Sequence, residues 1–406
     1  MAAGIPATGS SAADALAAPW AQKILAILPL LLFMPQGWTN GAMLIYLLVL
    51  LASGSWRAKL DNVAAHPMLR PVLVMLGVSV LAGLALERPA DFWSGFVHYQ
   101  VYVFLLLFMA AGAGPWQEQA VRNFFLGATL AAITLCLGRA GLLPQWGVFA
   151  SYIAYSGNKS ILLGILLAVA ASWMLHDIVN LRQRHWLRVL QMLFVATVLL
   201  VLARTRTGAM IFLVCGMGIL LANWRLSWRS LLIGAVSMVA MLAALQAVPA
   251  VSARLAGTMA DARSFASGGQ VSADGVRLGM YRATLDLIAD KPLTGHGIGT
   301  WIEHYRDRIK GTEIPMHSTP HNDYLLYLSE MGMIGLAALL GIWAVQMSLV
   351  RQLAQPMSGR LVVLCAAMAI GTMFNALLRD FVFALPFMLL LSIPLAGLRR
   401  AKAVTP

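Results

Sequence analysis

This 406-residue chain has little charge: Asp, Glu, Lys and Arg make up 11% of it, against 60% hydrophobic residues. A soluble domain carries about a quarter charged residues, so a soluble fold of this composition could not cover its own surface. Period-two alternation in segments of about ten residues is also missing, which argues against a transmembrane barrel. Cysteine is sparse: Cys136, Cys215 and Cys365 each lie inside an apolar run. They offer no disulfide framework and no zinc or redox spacing, and read as small packing residues. Residues 1–20 contain no Lys or Arg, so the charged start of a signal peptide is absent and a mobile cytoplasmic tail is expected instead. No basic stripe interleaved with aromatics accompanies the net charge of +13, and nucleic acid is therefore not an expected partner.

Apolar runs of roughly 17–25 residues, each long enough to cross the hydrocarbon core as a helix, recur along nearly the whole length. They predict an all-α polytopic integral membrane protein of about twelve transmembrane helices, with one larger helical periplasmic segment. The expected spans are 21–36, 41–54, 71–87, 92–112, 123–138, 159–178, 187–203, 208–222, 230–248, 321–348, 360–378 and 382–398. The first nine fill 21–248 and the last three fill 320–398, with the polar segment 249–319 between them and a basic cytoplasmic tail at 399–406.

Orientation comes from the basic connections. Arg57, Lys59 and Arg70; Arg182, Arg184 and Arg188; Arg225 and Arg229; Arg351 and Arg360; and Arg399, Arg400 and Lys402 all fall on one side of a twelve-crossing chain. By the positive-inside bias that side is the cytoplasm, with both termini there and residues 249–319 outside. Tryptophans near predicted ends, among them Trp20, Trp38, Trp93 and Trp116, suit the interface. Within the polar segment, Leu278, Tyr281, Leu285 and Ile288 recur at helical spacing, predicting a short amphipathic helix that stops near Pro292. No internal repeat marks an inverted-repeat transporter.

Some external residues run against the bias. Arg204 and Arg206 lie in the turn Ala203-Arg204-Thr205-Arg206-Thr207-Gly208, and Arg139, Lys159 and Arg379 sit at external helix ends. Such cations either snorkel to lipid headgroups or form an anion site, where guanidinium groups pair bidentately with phosphate. A second feature is Met316-His317-Ser318-Thr319-Pro320-His321-Asn322-Asp323-Tyr324, which opens the tenth span. Ser318 or Thr319 could cap that helix, with Pro320 at its first position. His321 and Asn322 would then lie in the first turn, where the helix field favours neutral imidazole and attracts phosphate. A histidine in such a place also serves as an ordinary structural residue. Gly295-His296-Gly297-Ile298-Gly299 lacks the strand-to-helix context of a nucleotide fingerprint and reads as a tight turn. Glu330, inside an apolar helix, is expensive unless paired and is expected to position the fold. Neither an Asp-x-Asp pair nor a nucleophile elbow is present.

Three blocks together carry a family likeness: Arg204 through Gly208; Arg277 through Pro292 to Gly299; and His317 through Asn322, followed by Glu330-Met331-Gly332 and Gly335. In their order and spacing the sequence resembles the O-antigen ligase and polymerase superfamily of bacterial envelope enzymes. The resemblance implies a bacterial inner-membrane glycosyltransferase whose donor is an undecaprenyl-pyrophosphate-linked glycan on the periplasmic face. The single main periplasmic segment and the chain length look most like a ligase, which transfers the glycan to lipid A-core in lipopolysaccharide biosynthesis. A polymerase or a protein O-oligosaccharyltransferase is the alternative within the superfamily, and a transporter of an anionic lipid or sugar is the alternative outside it. The family's histidine matches His321, as general base. Its arginines match Arg206 and Arg277, on the pyrophosphate, with Arg204 and Arg282 as helpers and His317 and Asn322 as supporting residues. Transfer would be inverting and independent of metal, and no cofactor is expected.

Overall fold

The computed structural model describes residues 12–90, 92–145, 147–149, 152, 157–181, 186–203, 205–223, 273–312 and 314–399. The described residues form fifteen α-helices and no strand. α1 (Ala12–Leu31), α2 (Gln36–Ala52), α3 (Trp56–Ala64), α4 (Leu69–Ala85), α5 (Phe92–Tyr99), α6 (Tyr102–Met109) and α7 (Trp116–Arg139) come first. α8 (Gly157–Asn180), α9 (Trp186–Thr197) and α10 (Arg206–Asn223) follow. After the undescribed stretch come α11 (Ala273–Asp290), α12 (Trp301–Arg308), α13 (Asp323–Leu349), α14 (Met357–Phe374) and α15 (Phe381–Leu395).

Each expected span that falls on described residues has a helix at its place. The span at 230–248, Arg204, the loop arginines Arg182, Arg184, Arg225 and Arg229, and the polar segment up to residue 272 lie outside the described residues. Five helices are long and apolar enough to cross a membrane, and seven if each of two bent pairs is one span. The chain is an all-α polytopic membrane protein.

α8 is the central helix. Every residue from Ile165 to Ala171 is at most 1% exposed, as expected of a helix that is apolar all round, and it packs against α7, α9, α10, α14 and α15. The crossing with α10 is close. A Cβ on Gly208 would run into the Gly164 carbonyl, and one on Gly164 into Thr205, so small residues set this interface.

Three expectations need correction. The span 92–112 is two helices, α5 and α6, bent by 46°. The bend falls between two tyrosines tied to α13: Tyr99 donates to Glu330 at 2.6 Å, and Tyr102 accepts from Trp343 at 2.8 Å. The connection holding Arg57 and Lys59 is the helix α3, turned 113° from α2. Lys59 is buried and donates to Ser53 Oγ at 2.7 Å and to the Gly54 carbonyl at 2.5 Å, so it closes the exposed carbonyl end of α2. Arg360 is also no loop cation. It is 2% exposed in α14 and pairs with Asp177 of α8 and Glu118 of α7, each at 3.1 Å.

α13 breaks at Gly332, whose φ of 64° and ψ of −162° leave the helical region. A break inside an apolar helix frees backbone groups that need new partners. The 292–299 loop supplies them. His296 N–H donates to the Ser329 carbonyl and Gly297 N–H to the Glu330 carbonyl, both at 2.9 Å, while Met333 N–H donates to the Pro292 carbonyl at 2.9 Å. Gly295 at φ 71° lies so close to the Glu330–Met331 peptide that no side chain fits there. The glycine-rich stretch is thus more than a tight turn: it docks backbone to backbone on the broken helix. Glu330, buried beside it, accepts from Tyr99 and from the Gly299 and Trp301 amides, and so holds the two blocks together.

Candidate functional site

The start of α13 organises the site. Its cap is Asn322, whose Oδ1 accepts from the Leu325 N–H at 3.1 Å, rather than Ser318 or Thr319. His321 therefore precedes the helix instead of lying in its first turn. Thr319 Oγ1 accepts from the His321 N–H at 3.3 Å, so the threonine shapes the approach to the helix. His321 adopts φ 49° and is, with Ser55, one of two non-glycine residues at positive φ among the described residues. Such a conformation costs on the order of 1–3 kcal/mol and persists because the flanking contacts hold it.

The next residue, Asp323, is fully buried and accepts from the Leu378 N–H through Oδ2 at 2.7 Å. This fastens α13 to the turn between α14 and α15. Two further contacts gather other elements on the same turn. Asn375 Nδ2 donates to Thr207 Oγ1 at 3.3 Å, bringing in the start of α10. Tyr281 OH donates to the Met373 carbonyl at 3.2 Å, bringing in α11, and it also reaches the Asn322 side chain. Blocks separated by more than a hundred residues thus meet at one end of the bundle, around residues 373–380.

Each candidate residue has a definite place in this arrangement, except Arg204, which lies outside the described residues. Arg206 is the first residue of α10, exposed, next to the Thr207 that contacts Asn375. The preceding helix, α9, ends in a π-helical turn at Val198–Leu202, a feature common at functional sites. Arg277 is half-buried in α11, near enough for its charge to act on His321. Arg282 is exposed, five residues further on and so roughly 140° round the helix; it points away from the Arg277 face. His317 stands edge-on to His321, ring centroids 5.5 Å apart, and its Nε2 is buried without a hydrogen-bond partner.

His321 is partly buried, and its pKa is pushed down to about 4, first by burial, then by the Arg277 charge and then by His317. The imidazole is therefore neutral at physiological pH, with a nitrogen lone pair available. Tyr281 moves the other way: burial raises its phenol, and Arg277 partly opposes the rise. Behind the His317–His321 segment lies a cavity of about 190 Å³ lined by Tyr99, Trp301, Ser318, Glu330 and Arg379, among others. Arg379 pairs with Asp380 at 3.5 Å and faces this cavity, so a purely lipid-facing role does not describe it.

The expected apolar face of α11 is corrected. Leu278 and Leu285 are 42% and 53% exposed, while Met280, Ala283 and Leu287 are buried with Trp301, Tyr305 and Leu326. α11 carries apolar residues on two faces. The polar Thr284, which accepts from the Trp301 indole at 3.1 Å, lies on the buried one, and that hid the phase from a hydrophobicity count.

Sequence reading missed Asp323, Asn375 and Tyr99 as positioning groups; a carboxylate opening an apolar helix was the one available signal. It also missed Glu87, His296 and His304, whose potential ligand atoms all lie within 4.8 Å of one another. They come from three separate segments with no motif spacing.

No curated protein sequence matches the chain. Residues 191–340 match the family model described as O-antigen ligase, a stretch that holds the starts of α10 and α13, Arg277 and the glycine-rich loop. That match spans the three blocks that the fold gathers at one end of the bundle, and it supports the O-antigen ligase/polymerase superfamily.

Proposed function

We propose that this protein is an O-antigen ligase that transfers a glycan from undecaprenyl pyrophosphate to lipid A-core at the periplasmic face of the inner membrane. The observation that carries the reading is His321: a neutral imidazole, held at positive φ before the α13 cap, under the charge of Arg277. The acceptor sugar hydroxyl gives its proton to His321 as its oxygen attacks the anomeric carbon. The bond from that carbon to the pyrophosphate oxygen breaks, and direct displacement inverts the centre. Arg206 and Arg277 hold the pyrophosphate and stabilise the charge that grows on it as it leaves. Arg204 assists, Arg282 on another face of α11 takes no direct part, and His317 supports the base. Asn322, as the helix cap, fixes the backbone that carries His321.

Reconstitution of the purified chain with lipid-linked glycan and lipid A-core tests this. Product on lipid A is expected. Longer lipid-linked chains would select the polymerase reading, glycan on a supplied protein the oligosaccharyltransferase reading, and glycan crossing sealed vesicles without transfer the transporter reading.

The orientation is part of the same proposal. Leu293 and Trp186 are 67% and 66% exposed and lie on opposite sides of the expected topology. In intact cells, an impermeant thiol reagent should label Leu293→Cys and spare Trp186→Cys. The reverse pattern would put the site on the cytoplasmic face and remove the periplasmic donor.

A further inference from the structure

We infer that Glu87, His296 and His304 form a divalent-cation site, with zinc as the best-suited ion, that ties the loop after α4 to the glycine-rich loop and to α12. Two imidazoles and one carboxylate make a donor set suited to zinc, with a fourth position left for water. The ligand atoms lie within 4.8 Å of one another, and the two histidine rings are 4.4 Å apart between centroids. His304 Nε2 is 3.2 Å from Glu87 Oε2.

A second observation points to a ligand. His296 is 6% exposed, and its Nε2 is 2.9 Å from the Leu287 carbonyl. A carbonyl only accepts, so that nitrogen carries the proton, and the remaining nitrogen, Nδ1, holds a lone pair. This Nδ1 is buried without a hydrogen-bond partner. Leaving a buried acceptor unsatisfied costs about 1–3 kcal/mol, and a cation bound there satisfies it. A backbone carbonyl holding the far nitrogen is also the usual outer support of a metal-bound histidine.

Nearby groups are compatible with the site. The other oxygen of Glu87, Oε1, accepts from the Lys291 ammonium at 2.9 Å, so Glu87 would bind the ion through one oxygen only. Gly297 has no side chain, which lets the loop lie against the Glu87 backbone. Glu87 and His304 remain partly exposed, which leaves the ion a way in. The ordinary alternative is an ion-pair cluster of Glu87 with Lys291 and His304, which needs no metal.

The test uses the full chain in detergent or nanodiscs, equilibrated with micromolar zinc chloride and dialysed, with zinc content measured per chain and thermal unfolding followed with and without the ion. One zinc per chain is expected, with a zinc-dependent rise in Tm that a chelator reverses. His304→Ala and the near-isosteric Glu87→Gln should each lose most of the bound zinc and the Tm response. Their metal-free Tm shows whether they fold, and Glu87→Gln keeps the test valid if His304→Ala does not. Absence of zinc on the wild type, or full retention by two folded variants, would overturn the site.

Discussion

Replacing His321 by alanine is expected to lower turnover by about 10²–10⁴-fold, the usual worth of general-base catalysis, with donor affinity close to wild type. Turnover must be counted per folded molecule, because the backbone at His321 sits at φ 49°. Asparagine tolerates that conformation better than alanine, so His321→Asn should fold as well as the parent and still lack the base. The pH profile adds an independent check. With its pKa held down to about 4, the free enzyme keeps His321 unprotonated across the neutral range. kcat/KM should therefore stay flat as pH falls through 6.5 and drop only well below it. Replacing Arg277 by glutamine removes one of the influences that lower this pKa, so the acid limb should move upward. The same change should weaken donor binding together with turnover, because the pyrophosphate is charged before and during transfer. Arg206→Lys should rescue only in part, since an ammonium lacks the bidentate fork. A well-folded His321→Asn enzyme with near-wild-type turnover would end the assignment.

The second large effect is expected at the other end of the bundle. Asp177→Ala should destabilise the protein by about 3–5 kcal/mol, because it strips a buried guanidinium of a buried partner. Arg360 and Asp177 have side chains only 3% and 5% exposed, whereas Glu118 is 51% exposed. Glu118 is thus a weaker substitute, being screened by solvent. The neighbouring His176 lies 3.5 Å from Asp177 and supplies no negative charge in its place. Equilibrium unfolding in mixed micelles measures the loss. Combining Asp177→Leu with Arg360→Met should recover most of it, since apolar residues of similar size carry no desolvation penalty. A loss under about 1 kcal/mol for Asp177→Ala alone would mean that the pair is not what joins α8 to α14.

Arg360 also shows where reading the sequence reaches its limit. As a letter it is one more cation beside an apolar run, and the positive-inside bias claimed it. Only the packing of α7, α8 and α14 brings two carboxylates to it. Lys59 is a similar case, turned back onto the carbonyl end of α2. His321 was legible as a candidate because histidine, proline and asparagine cluster where a polar segment meets an apolar helix. Its left-handed backbone was not legible, since φ depends on how Asp323 grips the 377–380 turn more than fifty residues away.

The amino-acid sequence by itself determined the all-α membrane class, the positions of most helices, and the three blocks in which the candidate residues lie. Those follow from composition, from runs of apolar residues, and from short-range patterns that need no distant partner. Tertiary structure alone decided the break of α13 at Gly332, the buried face of α11, and the gathering of Thr207, Tyr281, Asn322 and Asn375 around one turn. The physical reason is common to all of them. In an apolar environment every freed backbone group and every buried charge must find a partner, and which partner it finds depends on what the fold brings within about 3 Å of it.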